Sequence, residues 1–211
     1  MLTLAQARPW YTQADAVHDF SHVERVYHTA LHLAQIEGAD EEIVGAAALL
    51  HDVEGSAPGS AGRASHQLYS AEFAANVLAG EGWPAERIAA VQHCIRAHRF
   101  RGDNEAPATL EAQVLFDADK LDVIGAIGAA RTIAYAALAG TPFYAPPSPR
   151  FLNERKKEAG EPHSAYHEYL FKLVHVRERL YTPSARRMAE QRHTALVDFF
   201  EQLAAEMRGE R

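Results

Sequence analysis

Apolar positions recur at helical spacing along most of the chain. In residues 20–37, Val23, Val26, Tyr27, Ala30, Leu33 and Ile36 share one face, and Gly38 ends the run. Asp40 is an N-cap candidate for a short apolar helix, EEIVGAAALLHD. Residues 55–65, GSAPGSAGRAS, read as a loop. The pattern then predicts a helix over 66–80 that ends at Gly80, and another with Pro84 in its first turn that runs to about His98. RFRGDNEAP is a second loop. Thr109 has the position of an N-cap, and the helix it starts passes through AQVLF and, with a break, DADKLDVIGAIGAARTIAYAALAG. TPFYAPPSPRF is too proline-rich for regular helix. Two further helices are predicted near 161–180 and 184–208, with Pro183 between them. No strand alternation, repeat or low-complexity tail interrupts this reading. The prediction is an all-α protein, with residues 1–211 forming one domain and the proline-rich stretch an excursion from it.

Charge narrows the function classes. Lys and Arg total 21 against 28 Asp and Glu, a net of -7, which argues against a general nucleic-acid binder. A pocket for one phosphate remains compatible with it. The single cysteine, Cys94, excludes an internal disulfide and a Cys-rich zinc module. The first residues, MLTLAQARPWYTQADAV, lack a basic start followed by an apolar run, and no stretch approaches a membrane span, so a cytoplasmic protein is expected. No GxGxxG or GxxxxGK[ST] motif occurs. The unusual count is histidine, 12 residues in 211, and it directs attention to metal chemistry.

Two pairs, His18/His22 and His28/His32, are four residues apart and would share a helix face. His51-Asp52 ends an apolar helix, so an imidazole and a carboxylate leave a core segment together. A buried carboxylate needs a cation or several donors. A metal would answer that need; the local alternative is a helix-terminal His with Asp52 turned to solvent. VLFDADKLDVIG adds Asp117, Asp119 and Asp122 inside an apolar run, so some of these carboxylates face inward or cap the segment. Mixed Asp and His donors suit Mn, Fe, Co, Ni or Zn, whereas all-oxygen ligation suits Mg or Ca.

HDFSHVERV, ALLHDVEG and VLFDADKLDVIGAIG, with SAEFAANVL and VQHCIRAHRF between them, resemble the HD-domain superfamily of metal-dependent phosphohydrolases, in particular single-domain bacterial predicted hydrolases. The resemblance covers about residues 18–140, leaving a helical extension over about 148–211. It implies an all-α helical bundle with a divalent metal (Mn, Fe, Co, Ni, Zn or Mg) between helices, in the order H…HD…D. Carried over, the ligands are His22, His51, Asp52 and Asp119, the last because ADKL matches the family's A-D-(R/K)-L. His18 and Asp19 would support the helix that carries His22, and Asp122 would bond a ligand or Lys120.

The implied reaction is hydrolysis of a phosphate ester of a nucleotide or another small molecule. Asp52 would orient or deprotonate a metal-activated water, with Glu54 a weaker candidate for positioning it. Arg25, Lys120 and His98 would meet the phosphate, and His98 could also protonate the leaving oxygen. His66 and His93 read first as exposed or helix-capping residues, and His163, His167, His175 and His193 as surface or interface residues. Two other readings stay open: a di-iron oxygenase, for which His66, His93 and His98 could supply the extra ligands, and a regulatory domain that binds metal or nucleotide without turnover. A homodimer through the helical C-terminus also stays open.

Overall fold

The computed structural model describes residues 2–11, 20–53, 66–99 and 105–211. Every regular element among them is helical. The helices are α1 (Leu4–Ala7), α2 (Phe20–Glu37), α3 (Glu41–Leu50), α4 (His66–Gly80), α5 (Ala85–Ala97), α6 (Leu110–Leu121), α7 (Gly125–Leu138), α8 (Pro149–Glu154), α9 (Ala165–Phe171) and α10 (Pro183–Met207). Short 3-10 turns cover Arg8–Trp10 and Leu173–Arg179. No single described helix is long and apolar enough to cross a membrane. The chain divides into two compact units: Met1–Lys120 with Leu180–Ala185, and Leu121–Arg179 with Arg186–Arg211.

The first unit is built around α3, whose residues Ile43 to Leu50 are all buried. Asp40 starts this helix as expected: its carboxylate accepts from the Glu42 and Ile43 amides at 3.0 and 3.1 Å. Arg87 of α5 holds the same carboxylate at 2.9 Å. Gly45 lets α2 approach closely, because a Cβ there would lie 3.3 Å from Tyr27 and 3.4 Å from Leu31. On α2 the buried stripe is His22, Val23, Val26, Ala30, Leu33 and Ala34. Ile36 leaves it and is 51% exposed. His28 and His32 lie on the solvent side, so their four-residue spacing gathers nothing. α4 and α5 form a hairpin over Gly82, which adopts a φ of 77°.

α6 starts at Thr109, whose hydroxyl accepts from the Ala112 amide at 3.2 Å. Asp117, fully buried, explains why the chain returns to this unit at Leu180–Ala185. It accepts from the Tyr181 amide at 2.9 Å and from the Thr182 amide and hydroxyl at 2.7 Å each. The Ser184 amide donates to Glu37 at 2.7 Å. Asp117→Ala would strand the two buried Thr182 donors and the part-buried Tyr181 amide, so the expected loss of stability is about 3 kcal/mol. Urea unfolding measures it; a loss below about 1 kcal/mol would assign the docking to packing alone.

In the second unit, α10 presents Leu196 and Phe200, both fully buried. Tyr169 of α9 stacks on Phe200 at 4.8 Å. The proline-rich stretch does hold a helix turn: Ser148 caps α8, and Pro149 occupies its first position, where a missing N–H costs nothing. Residues 161–180 do not form one helix, because Ser164 caps α9 and delays its start, and α9 ends at Phe171. His167, expected at the surface, is fully buried. Its Nε2 faces Glu161 at 3.0 Å, and its Nδ1 lies 2.7 Å from the Ser164 hydroxyl. Glu161 also accepts from the Ser148 and Glu158 amides, contacts that outweigh burial and hold its carboxyl down to about 2.

Candidate metal centre

Five helices of the first unit bring their ends or inner faces to one cluster. His22 lies on the buried stripe of α2, His51 and Asp52 at the end of α3, His66 at the start of α4, His98 just past α5, and Asp119 near the end of α6. His51 is fully buried, His98 is 3% and His22 6% exposed.

A helix end leaves carbonyls without intrahelical partners, and two histidines exploit this. The His51 Nδ1 lies 2.8 Å from the Ala48 carbonyl, and the His98 Nδ1 lies 2.5 Å from the Ile95 carbonyl. A carbonyl only accepts, so in each ring Nδ1 carries the proton. Burial lowers the His51 pKa to about 4, so the ring is neutral and its Nε2 offers a lone pair.

The Nε2 atoms of His51 and His22 face each other at 3.4 Å. His22 Nε2 lies 3.5 Å from Asp119 Oδ1 and 3.9 Å from Asp52 Oδ2, and His51 Nε2 lies 3.8 Å from that same oxygen. Ligands about 2.1 Å from a tetrahedral ion stand about 3.4 Å apart. His22, His51 and Asp119 at these separations fit a divalent ion with small contraction, and Asp52 Oδ2 stands beside them, 3.8–3.9 Å from both imidazoles. The other oxygen of Asp52 points to a second group, 3.2 Å from His66 Nε2 and 3.5 Å from His98 Nε2. Oδ1 is buried, and among the described residues no well-directed hydrogen bond reaches it. Asp52 groups with His66 and His98, and its Oδ2 also lies within 3.9 Å of His22 and His51 of the neighbouring His22/His51/Asp119 group.

Burial alone would raise both carboxyls. The imidazoles of His51, His66 and His98 more than reverse this for Asp52, and Lys120 and His22 do so for Asp119, so both stay well below the usual carboxylate range. The Lys120 Nζ lies 2.6 Å from Asp119 Oδ2 and 5.2 Å from the centre of the Phe116 ring.

His22, His51, Asp52, His98, Asp119 and Lys120 are thus brought together. His66 joins them at Asp52, which corrects its reading as an exposed or capping residue. Only its place at the end of a loop hinted at this. The Gln67 carbonyl accepts from Arg99 at 3.1 Å, tying the residues next to His66 and His98; no sequence signal pointed to that link. Arg25 donates to the Ser21 hydroxyl one turn back on α2. Asp122 is buried in the second unit and accepts from Arg131. His93 faces Glu105 at 2.5 Å, and its other nitrogen accepts from the Ala108 amide. Cys94 is buried, which pushes its thiol pKa up, in keeping with no nucleophilic role. Glu54, His18 and Asp19 lie outside the described residues.

The HD domain family matches residues 19–124, half of the chain and the whole of this ligand order. The chain belongs to the HD domain family. It is 30% identical to YpgQ of Bacillus subtilis, an uncharacterized protein, over 97% of this chain and 93% of that one. The crystal structure of YpgQ in complex with ADP superposes with a TM-score of 0.75, covering 99% of this chain and all of that chain. An HD-superfamily hydrolase from Bacillus thuringiensis is 28% identical with a TM-score of 0.72, over 97% of this chain and 94% of its own. A Lactobacillus plantarum protein is 26% identical with a TM-score of 0.75, over 99% and 100%. The HD family accounts for the all-α fold and for the His and Asp donors that could hold a divalent metal.

Proposed function

We propose that this HD protein is a metal-dependent phosphohydrolase that cleaves a phosphate ester of a nucleotide or another small molecule. The observation that carries the reading is the buried set of His22, His51, Asp52 and Asp119, whose facing donors call for a cation. A divalent ion held there would polarise a phosphoryl oxygen and lower the pKa of a bound water. The chain's own residues do the rest. Asp52, with one oxygen toward each group, orients or deprotonates the attacking water. His98 and His66, 3.5 and 3.2 Å from Asp52, are the groups that exchange a proton with water or the leaving oxygen. Lys120 and Arg25 supply positive charge for the phosphate. The ADP complex of YpgQ supports a nucleotide as the substrate class.

The second group, His66 and His98 at Asp52 Oδ1, favours one other reading, a two-metal centre of the oxygenase kind. A panel of nucleotides and small phosphate esters, run separately with Mn, Co, Ni, Mg and Zn, distinguishes the two. Metal-dependent release of phosphate, pyrophosphate or a nucleotide product is the expected result. Silence across the panel, with two irons per chain and oxygen consumption, would replace the hydrolase by the oxygenase; nucleotide binding alone would leave a regulatory domain.

A further inference from the structure

We propose that Tyr11, which lies ahead of the HD domain match, is a positioning residue for the His51–Asp52 doublet. The inference rests on reading the cluster as a metal centre. α3 ends in the core, so its last carbonyls need partners other than water. The ring of His51 takes the Ala48 carbonyl. The next carbonyl, Leu49, accepts the Tyr11 hydroxyl at 2.8 Å. That bond pins the last turn of α3 two residues before His51, just ahead of the point where Asp52 turns toward four histidines.

The phenol is itself held. Its ring packs on Phe20, the first residue of the helix that carries His22, with centroids 5.3 Å apart. The preceding residues fix the segment to the same unit: Arg8 lies 2.6 Å from Glu24 and 4.6 Å from the centre of the Phe20 ring, and Trp10 meets Phe73 of α4 edge-on at 5.5 Å. Tyr11 thus touches the elements that bear three of the four proposed ligands without reaching the cluster. Lost outer supports of this kind typically weaken metal binding or activity about 10–100-fold.

Full-length wild type, Tyr11→Phe and Arg8→Gln are compared after chelation, by titration with Mn(II) alone and by the spectrum of the bound ion. Arg8→Gln loosens the same segment away from the doublet and serves as the structural control. The expected result is a dissociation constant raised about 10-fold and an altered spectrum for Tyr11→Phe, with both unchanged for Arg8→Gln, whatever the effects on melting temperature. Wild-type affinity and spectrum in Tyr11→Phe would overturn the positioning role alone. Failure of wild type to bind Mn, Co or Zn would overturn the metal-centre reading and this role with it. If Tyr11→Phe loses its helical signal, Phe20→Leu, which keeps the hydroxyl but loosens its ring, is expected to weaken Mn(II) binding in the same direction; wild-type binding there would overturn the role.

Discussion

Replacing Asp52 by alanine is expected to lower metal-dependent turnover about 10³-fold or more, with the helical circular-dichroism signal retained. The size of the effect follows from the double use of this side chain. Oδ2 lies within 3.9 Å of both His22 and His51, and Oδ1 within 3.5 Å of both His66 and His98. Its removal takes one ligand from the proposed metal set and leaves the other two imidazoles with no anion to face. The fold should survive, because Asp52 lies beyond the end of α3 and the buried core of that helix, Ile43 to Leu50, is untouched. Turnover within about tenfold of wild type, at saturating metal, would remove Asp52 from the reaction.

Chelation is expected to abolish turnover, and re-addition of one of the active metals to restore it. It should also lower the melting temperature. A ligand present at 100 times its dissociation constant stabilises the folded state by about 2.7 kcal/mol, which for a chain of this size is about 5–10 °C. The stabilisation arises because His22, His51 and Asp119 converge only in the folded chain, so the ion would bind the folded state and not the unfolded one. Metal analysis of the reloaded protein then counts the ions. One per chain fits the His22/His51/Asp52/Asp119 set; two bring in His66 and His98. Full turnover after chelation, with bound metal far below one ion per chain, would sink the metal-dependent mechanism.

The residues around these sites differ in how far they can be read from their neighbours in the chain. Asp40 and Thr109 cap their helices as their positions predict, because a cap acts on amides two or three residues ahead. The boundaries of α4 and the break between α6 and α7 follow the apolar period and the glycines. Pro149 shows the limit of composition: a proline-rich string excludes the interior of a helix but not its first position.

The sequence by itself determined the helical class, most helix limits and the order of the candidate ligands, since periodicity, capping and a motif are properties of short segments. The tertiary structure decided which carboxylate and which imidazole does what. Asp117, Asp119 and Asp122 look alike on one apolar run, yet Asp117 holds Tyr181 and Thr182, Asp119 meets His22 and Lys120, and Asp122 pairs with Arg131. His28 and His32 have ligand spacing and lie in solvent, while His66, which belongs to no ligand-spaced pair in the sequence, comes to Asp52. Tyr11 reaches the end of α3 from 38 residues away. Such pairings depend on where helices pack, and burial then sets their strength, because a polar group removed from water must find its partner within the fold.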